Sequence, residues 1–169
     1  MRPRLIHVQL YPVPQFATYD LTTDGPDEFD KFSQLSVQLT GFSPAELQGT
    51  GMIQVYFDEL GLVLGREIRR KYLNSRLGPG ALLSDCVWGP LTRNVIRMWY
   101  LGQWHRLPAG WGSGQFSDKD LRGFDEFGRN VDRIISPRAY KEGLAWRAVG
   151  VNPTGAKQPG FGSWKKAPR

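Results

Sequence analysis

Apolar residues recur at spacings of three and four from Phe29 through Phe32 and Leu35 to Leu39, the pattern of an amphipathic helix. Pro26 falls in its first turn, close to Asp24 and Asp27, and Gly41 stops it. Ser43-Pro44-Ala45-Glu46 reads as a capping box with proline at the first helical position, so a second helix starts there. Leu47, Met52, Val55, Tyr56, Leu60 and Leu62 give that helix a broad apolar face, weakened by Gly49 and Gly51. Arg66 to Arg76 either prolong it or form a short basic helix, and Gly78-Pro79-Gly80 ends the stretch. A third helix is predicted from about Pro90 through Leu101, with Leu91, Val95, Met98 and Trp99 on one side and Gly102 as its stop. A fourth begins at Ser136-Pro137 and runs through Tyr140, Leu144 and Ala148 to Gly150.

The remaining stretches lack a helical period. In residues 1–25, Leu5, His7, Gln9 and Tyr11 alternate with Ile6, Val8 and Leu10 before Pro12 and Pro14 stop any regular element. This reads as an extended arm lying on another surface. Residues 103–135 carry Gly110, Gly112 and Gly114 with Trp104 and Trp111, a loop that packs rings. Residues 151–169 are broken by Pro153 and Pro159 and read as an irregular, partner-binding tail. The expected fold is all-α: a compact bundle of about four to six short helices over residues 26–150, between arm and tail. Its core is expected from Phe32, Leu35, Leu39, Val55, Val95, Met98, Trp99 and Leu144.

At 169 residues the chain fits one domain, and 40% hydrophobic with 12% aromatic residues requires a folded state. The 20 glycines and 12 prolines predict many turns and short helices. A net charge of +6 favours an acidic partner, whether nucleic acid, anionic membrane or an acidic protein face, without choosing among them. Cys86 is the only cysteine, so no intrachain disulfide is available, and a buried structural role is expected for it. With two histidines, His7 and His105, a polyhistidine metal centre is disfavoured. Residues 1–14 are not patterned as a signal peptide or anchor, and no apolar run reaches the length of a membrane span.

No candidate chemistry converges. Gly110-Trp111-Gly112-Ser113-Gly114 has the glycines of a phosphate loop without a strand before it or a helix after it. Asp118, Asp120, Asp125 and Glu126 fail the spacing of a calcium loop and interleave with Lys119, Arg122 and Arg129, which predicts a solvated, ion-paired face. Ser84-Asp85-Cys86 has no histidine close in sequence to activate the thiol. Arg97, Trp99, Tyr100, Trp104, Arg106 and Trp111 mix rings and cations in a way that suits stacked nucleotides, yet Trp99 shares a helical side with Val95 and reads as core. No catalytic, cofactor-binding or metal-binding residue is assigned.

Three segments together resemble one family. They are Phe32-Ser33-Gln34-Leu35-Ser36 with Leu39-Thr40-Gly41; Ile96-Arg97-Met98-Trp99-Tyr100-Leu101-Gly102; and Tyr140-Lys141-Glu142-Gly143-Leu144-Ala145-Trp146 followed by Pro159-Gly160-Phe161 and Trp164. In order and approximate spacing they resemble the small subunit of bacterial flavin-dependent fructose, sorbitol and glucose dehydrogenases, related to the third subunit of gluconate dehydrogenase. The resemblance implies a subunit without its own cofactor. Its partner would be a large FAD-containing flavoprotein of the glucose-methanol-choline type that oxidises a sugar or polyol and often passes electrons to a cytochrome c subunit. It also implies support of folding, and commonly export, of that partner, and hence a periplasmic location. The sequence departs from the family in lacking a twin-arginine signal, which leaves a cytoplasmic location open, and in lacking the tail cysteine some members carry before Pro-Gly.

On this reading Phe161 and Trp164 in the tail anchor the partner, with Tyr11 and Phe16 as weaker contacts on the arm. The competing reading is a basic nucleic-acid-binding helical domain, supported by charge and by the mixture of tryptophan and arginine.

Overall fold

The computed structural model describes residues 26–151, with side chains from residue 28 onward. Tyr11, Phe16, Phe161 and Trp164 lie outside the described residues. The described chain is all-α apart from one short bridge, with the order α1 (Pro26–Thr40), α2 (Pro44–Thr50), α3 (Ile53–Leu73), α4 (Pro79–Ser84), α5 (Trp88–Leu101), β1 (Gln103–Trp104), α6 (Asp118–Leu121), β2 (Arg133–Ile134), α7 (Pro137–Lys141) and α8 (Leu144–Ala148). β1 and β2 pair antiparallel, with Gln103 opposite Ile134 and Trp104 opposite Arg133.

Local chemistry accounts for most element ends. At α2 the Ser43 hydroxyl accepts from the Glu46 N–H while the Glu46 carboxylate accepts from the Ser43 N–H, the predicted capping box. The expected long second helix divides at Gly51, which is left-handed, and restarts as α3. Gly78-Pro79-Gly80 closes nothing; Pro79 opens α4, where its missing N–H costs no helical bond. α5 begins at Trp88, earlier than the sequence suggests, because the Asp85 carboxylate accepts from the Val87 and Trp88 N–H groups at 2.8 and 2.7 Å. The expected fourth helix is two, α7 and α8, divided at Gly143.

α5 lies at the centre and touches α1, α3, α4, α7 and α8, while α1 packs along α3. The core is built from Phe32, Tyr56, Phe57, Leu60, Leu64, Ile68, Leu91, Val95, Met98, Trp99 and Leu144, all buried. Of the predicted core, Leu35, Leu39 and Val55 sit partly buried at its margin. The rings of Tyr56 and Trp99 meet edge to face at 4.9 Å, joining α3 to α5.

Gly102 both ends α5 and allows α7 to close on it. It has φ 66°, and a Cβ there would fall 2.4 Å from the Ala139 carbonyl carbon and 2.6 Å from the Tyr140 nitrogen. We expect Gly102→Ala to destabilise the protein by about 2 kcal/mol or more, since left-handed strain adds to a backbone clash. A thermal or urea melt of the variant checks it; an unchanged midpoint would refute the packing described.

Candidate functional site

Two places in the fold gather chemistry-bearing residues. The first is where the ends of α1, α5 and α7 meet. The Tyr100 hydroxyl donates to the Thr40 carbonyl at 2.8 Å, tying the last turn of α5 to that of α1 across sixty residues of sequence. Arg138 donates to the Thr50 carbonyl at 3.2 Å, bringing α7 to the end of α2. Trp146 of α8 donates its indole N–H to the Tyr140 carbonyl at 2.8 Å, and its ring meets the Tyr140 ring edge to face at 5.4 Å. Beneath this junction the Tyr56 hydroxyl and the Trp99 indole N–H are buried with no hydrogen-bond partner among the described residues. Burial pushes the Tyr56 phenol up, and the nearby charge of Glu142 adds to the shift.

The second place is the irregular segment 103–135, held by side chains in the absence of helical bonds. Asn94 bonds the His105 backbone both ways, donating to its carbonyl at 2.8 Å and accepting from its N–H at 2.9 Å. The Asn130 side-chain Oδ1 accepts from the Leu107 N–H at 2.9 Å and from the Trp104 indole N–H at 3.3 Å. Asp125 is left-handed, with φ 53°. Its N–H reaches the Val63 carbonyl at 2.7 Å, and its carboxylate accepts from the Asn130 N–H at 2.7 Å.

Beside this turn Glu59, 3% exposed, is bound by Arg129 at 3.1 Å and by Arg133. Burial lowers the Arg133 pKa. Rings continue the support. Tyr72–Trp88, Trp88–Phe116, Phe116–Trp111 and Trp111–Phe124 are successive contacts with centroids 5.3 to 5.5 Å apart. Where the series reaches the surface there is a cleft of about 290 Å³ whose lining includes Leu107, Trp111, Leu121 and Phe124 together with Arg106, Asp125 and Asn130.

The predicted ion-paired face is real only in part. Asp120 caps α6 through Ser117 and pairs with Lys71 of α3 at 2.5 Å, whereas Arg129 turns inward to Glu59. Asp125 is a turn-forming residue. Cys86 is exposed, correcting the expectation of a buried thiol: it follows the end of α4 at Asp85, outside any helix face that packs on the core. His105 is half-exposed, with Nδ1 3.9 Å from Asp132. Glu59, Asn94 and Asn130 were not singled out from the sequence, because their partners lie eleven to seventy-four residues away.

The Gly110–Gly114 run forms a series of tight turns that wrap Phe116. Among the described residues no group of three histidine, cysteine or carboxylate side chains is placed to hold a metal, and no helix is long and apolar enough to cross a membrane. No family model, curated protein or solved structure matches this chain.

Two outcomes follow. Glu59→Gln leaves two guanidiniums without their buried counter-charge; because Arg129 and Arg133 can partly turn to water, the expected loss is about 2 kcal/mol. Denaturant melts give the magnitude, and amide exchange should quicken at residues 125–134. For Asp120 the Lys71 and Ser117 bonds hold the carboxyl pKa down to about 2, against an ordinary 3.8. Its stabilisation is therefore fully present above pH 3.8 and is lost as pH falls through about 2. The difference in melting temperature between wild type and Asp120→Asn should be largest above pH 4 and shrink toward zero on acidification to about pH 2.

Proposed function

We propose that this chain is a non-catalytic accessory subunit that stabilises a large FAD-dependent sugar or polyol dehydrogenase. The observation that supports the reading is the junction of α1, α5 and α7. The three segments that carry the family resemblance lie far apart in sequence, and their helix ends touch one another: Thr40 with Tyr100, and Gly102 with Ala139 and Tyr140. A resemblance produced by composition alone has no reason to converge on one place in a fold. The flavin and the substrate chemistry belong to the partner, and electrons leave the partner for its acceptor, often a cytochrome c in the family that the chain resembles. This chain supplies surface and fixed geometry.

The experiment is co-expression with a large FAD-containing sugar or polyol dehydrogenase subunit. Purified alone, the chain is expected to be colourless and to reduce no dye with any sugar. In complex, it is expected to co-purify with a yellow subunit that does. Replacing Phe161 and Trp164 together by alanine should cost the large subunit at least tenfold in affinity, about 1.4 kcal/mol, with the helical signal and melting of the small subunit unchanged. Tight, steeply salt-dependent binding to RNA or DNA would instead favour the basic-domain reading.

A further inference from the structure

The cleft joins an apolar lining to three polar side chains, Asn130, Asp125 and Arg106, that retain hydrogen-bonding capacity. Asn130 is 7% exposed, and its Oδ1 accepts from the Leu107 N–H and the Trp104 indole N–H together. Two donors on one side of the amide fix its orientation, so Nδ2 is the edge left over. That nitrogen donates to nothing among the described residues, whereas most buried side-chain polar groups are paired. Asp125 stands next to it. One carboxylate oxygen accepts from the Asn130 N–H at 2.7 Å, and the other has no partner among the described residues. A donor and an acceptor are thus held side by side in the lining.

Arg106 adds a cation. Its backbone N–H donates to Asp132 at 2.6 Å, while its exposed guanidinium has no partner among the described residues. The rings are fixed in advance: the Trp111 indole N–H donates to the Val87 carbonyl at 2.8 Å, and the Phe124 ring lies 5.3 Å from the Trp111 ring. Such pre-organisation lowers the ordering cost of binding. Of the sequence's mixture of rings and arginines, Arg106 and Trp111 line this cleft, whereas Trp99 and Trp104 are buried in the fold.

A flat molecule with an acceptor beside a donor on one edge suits this lining, because Asn130 donates to the first and Asp125 accepts from the second. The pairing edge of a purine base carries that combination, and proteins read it by such hydrogen bonds between apolar walls. A simple aromatic acid suits it less, since its carboxylate would meet Asp125. We propose that the cleft binds a purine nucleoside monophosphate, with Asn130 and Asp125 reading the base and Arg106 meeting the phosphate. At about 290 Å³ the cleft has room for the base, and the sugar and phosphate extend toward solvent. One arginine serves one phosphate; a nucleic-acid strand needs a row of them. This inference stands apart from the accessory-subunit reading, and the chain purified alone suffices to test it.

The probes are adenosine and guanosine, each with and without its monophosphate, with benzoate as the comparison, followed by calorimetry and two-dimensional amide spectra. One of the two monophosphates should bind saturably, shifting the Asn130 side-chain amide and the Trp111 indole signals while the Trp99 indole signal stays in place. Asn130→Asp keeps an oxygen for Leu107 and Trp104 but removes the donor, and should weaken binding at least tenfold. Arg106→Gln should weaken the monophosphate about threefold and leave the nucleoside unchanged. Arg122→Gln, which removes an exposed charge outside the cleft, should change neither. Should Asn130→Asp fail to fold, Arg106→Gln and the shifted signals decide alone. The proposal is overturned by any of four results: no saturable binding up to about 5 mM, binding that leaves the Asn130 amide unmoved, equal losses for Arg106→Gln and Arg122→Gln, or benzoate binding as tightly as the purine.

Discussion

Glu59 places a charge on the inward side of α3, between Tyr56, Leu60 and Val63. Leaving a carboxylate unpaired in that position costs several kcal/mol. The chain supplies its counter-charge from Arg129 and Arg133, seventy residues later, and much of the irregular segment is arranged so that they can reach it. Four residues along, the Val63 carbonyl accepts from Asp125, and at Gly65, where α3 kinks with φ 73°, the backbone of Gly123 packs so close that a Cβ would fall 2.8 Å from it. One side of α3 thus carries an ion cluster, a backbone bond and a glycine contact in a row. Together they convert a segment with no helical period into fixed structure.

Within residues 127–134, Phe127, Val131 and Ile134 are exposed beside Asp132, while Arg129 and Arg133 pair with Glu59. The same logic holds at smaller scale elsewhere. Asn94 and Asn130 satisfy backbone groups of His105 and Leu107 that no helix or sheet provides for. The run of rings from Tyr72 to Phe124 fills the space between α3, α5 and the loops with large side chains whose contacts tolerate tilted geometry. Irregular backbone is stable here because its polar groups are individually satisfied.

What the sequence made legible follows from range. Ser43 with Glu46, Ser136 before Pro137, and Gly41 and Gly102 after apolar periods are signals within four residues, and each marks a real helix end. The all-α class and most of the core follow from the same short periods. The misread boundaries came from residues whose meaning depends on neighbours in space: Pro79 opens a helix instead of following one, and Gly143 divides one because its backbone lies against Tyr100. The site was harder still. No local pattern distinguishes Arg129, which reaches a buried glutamate, from Arg122, which is exposed.

The fate of the arginines also bears on the net charge of +6, the feature that favours a polyanion. Arg69 is 1% exposed, pairs with Glu28 at 3.4 Å and lies over the Phe57 ring at 4.1 Å. Arg129 and Arg133 neutralise Glu59, Arg138 donates to the Thr50 carbonyl, and Arg93 donates to the Leu83 carbonyl. These cations are distributed over α3, α5, the loop and α7, each engaged by an acceptor of the fold, Arg129 and Arg133 by the same carboxylate. A nucleic-acid face needs guanidiniums and ammoniums gathered on one side and free to meet successive phosphates. Arginine used as an internal tie raises the formal charge without building such a face. Charge of this kind is compatible with a protein partner, whose recognition rests on a few desolvated apolar side chains within a polar rim.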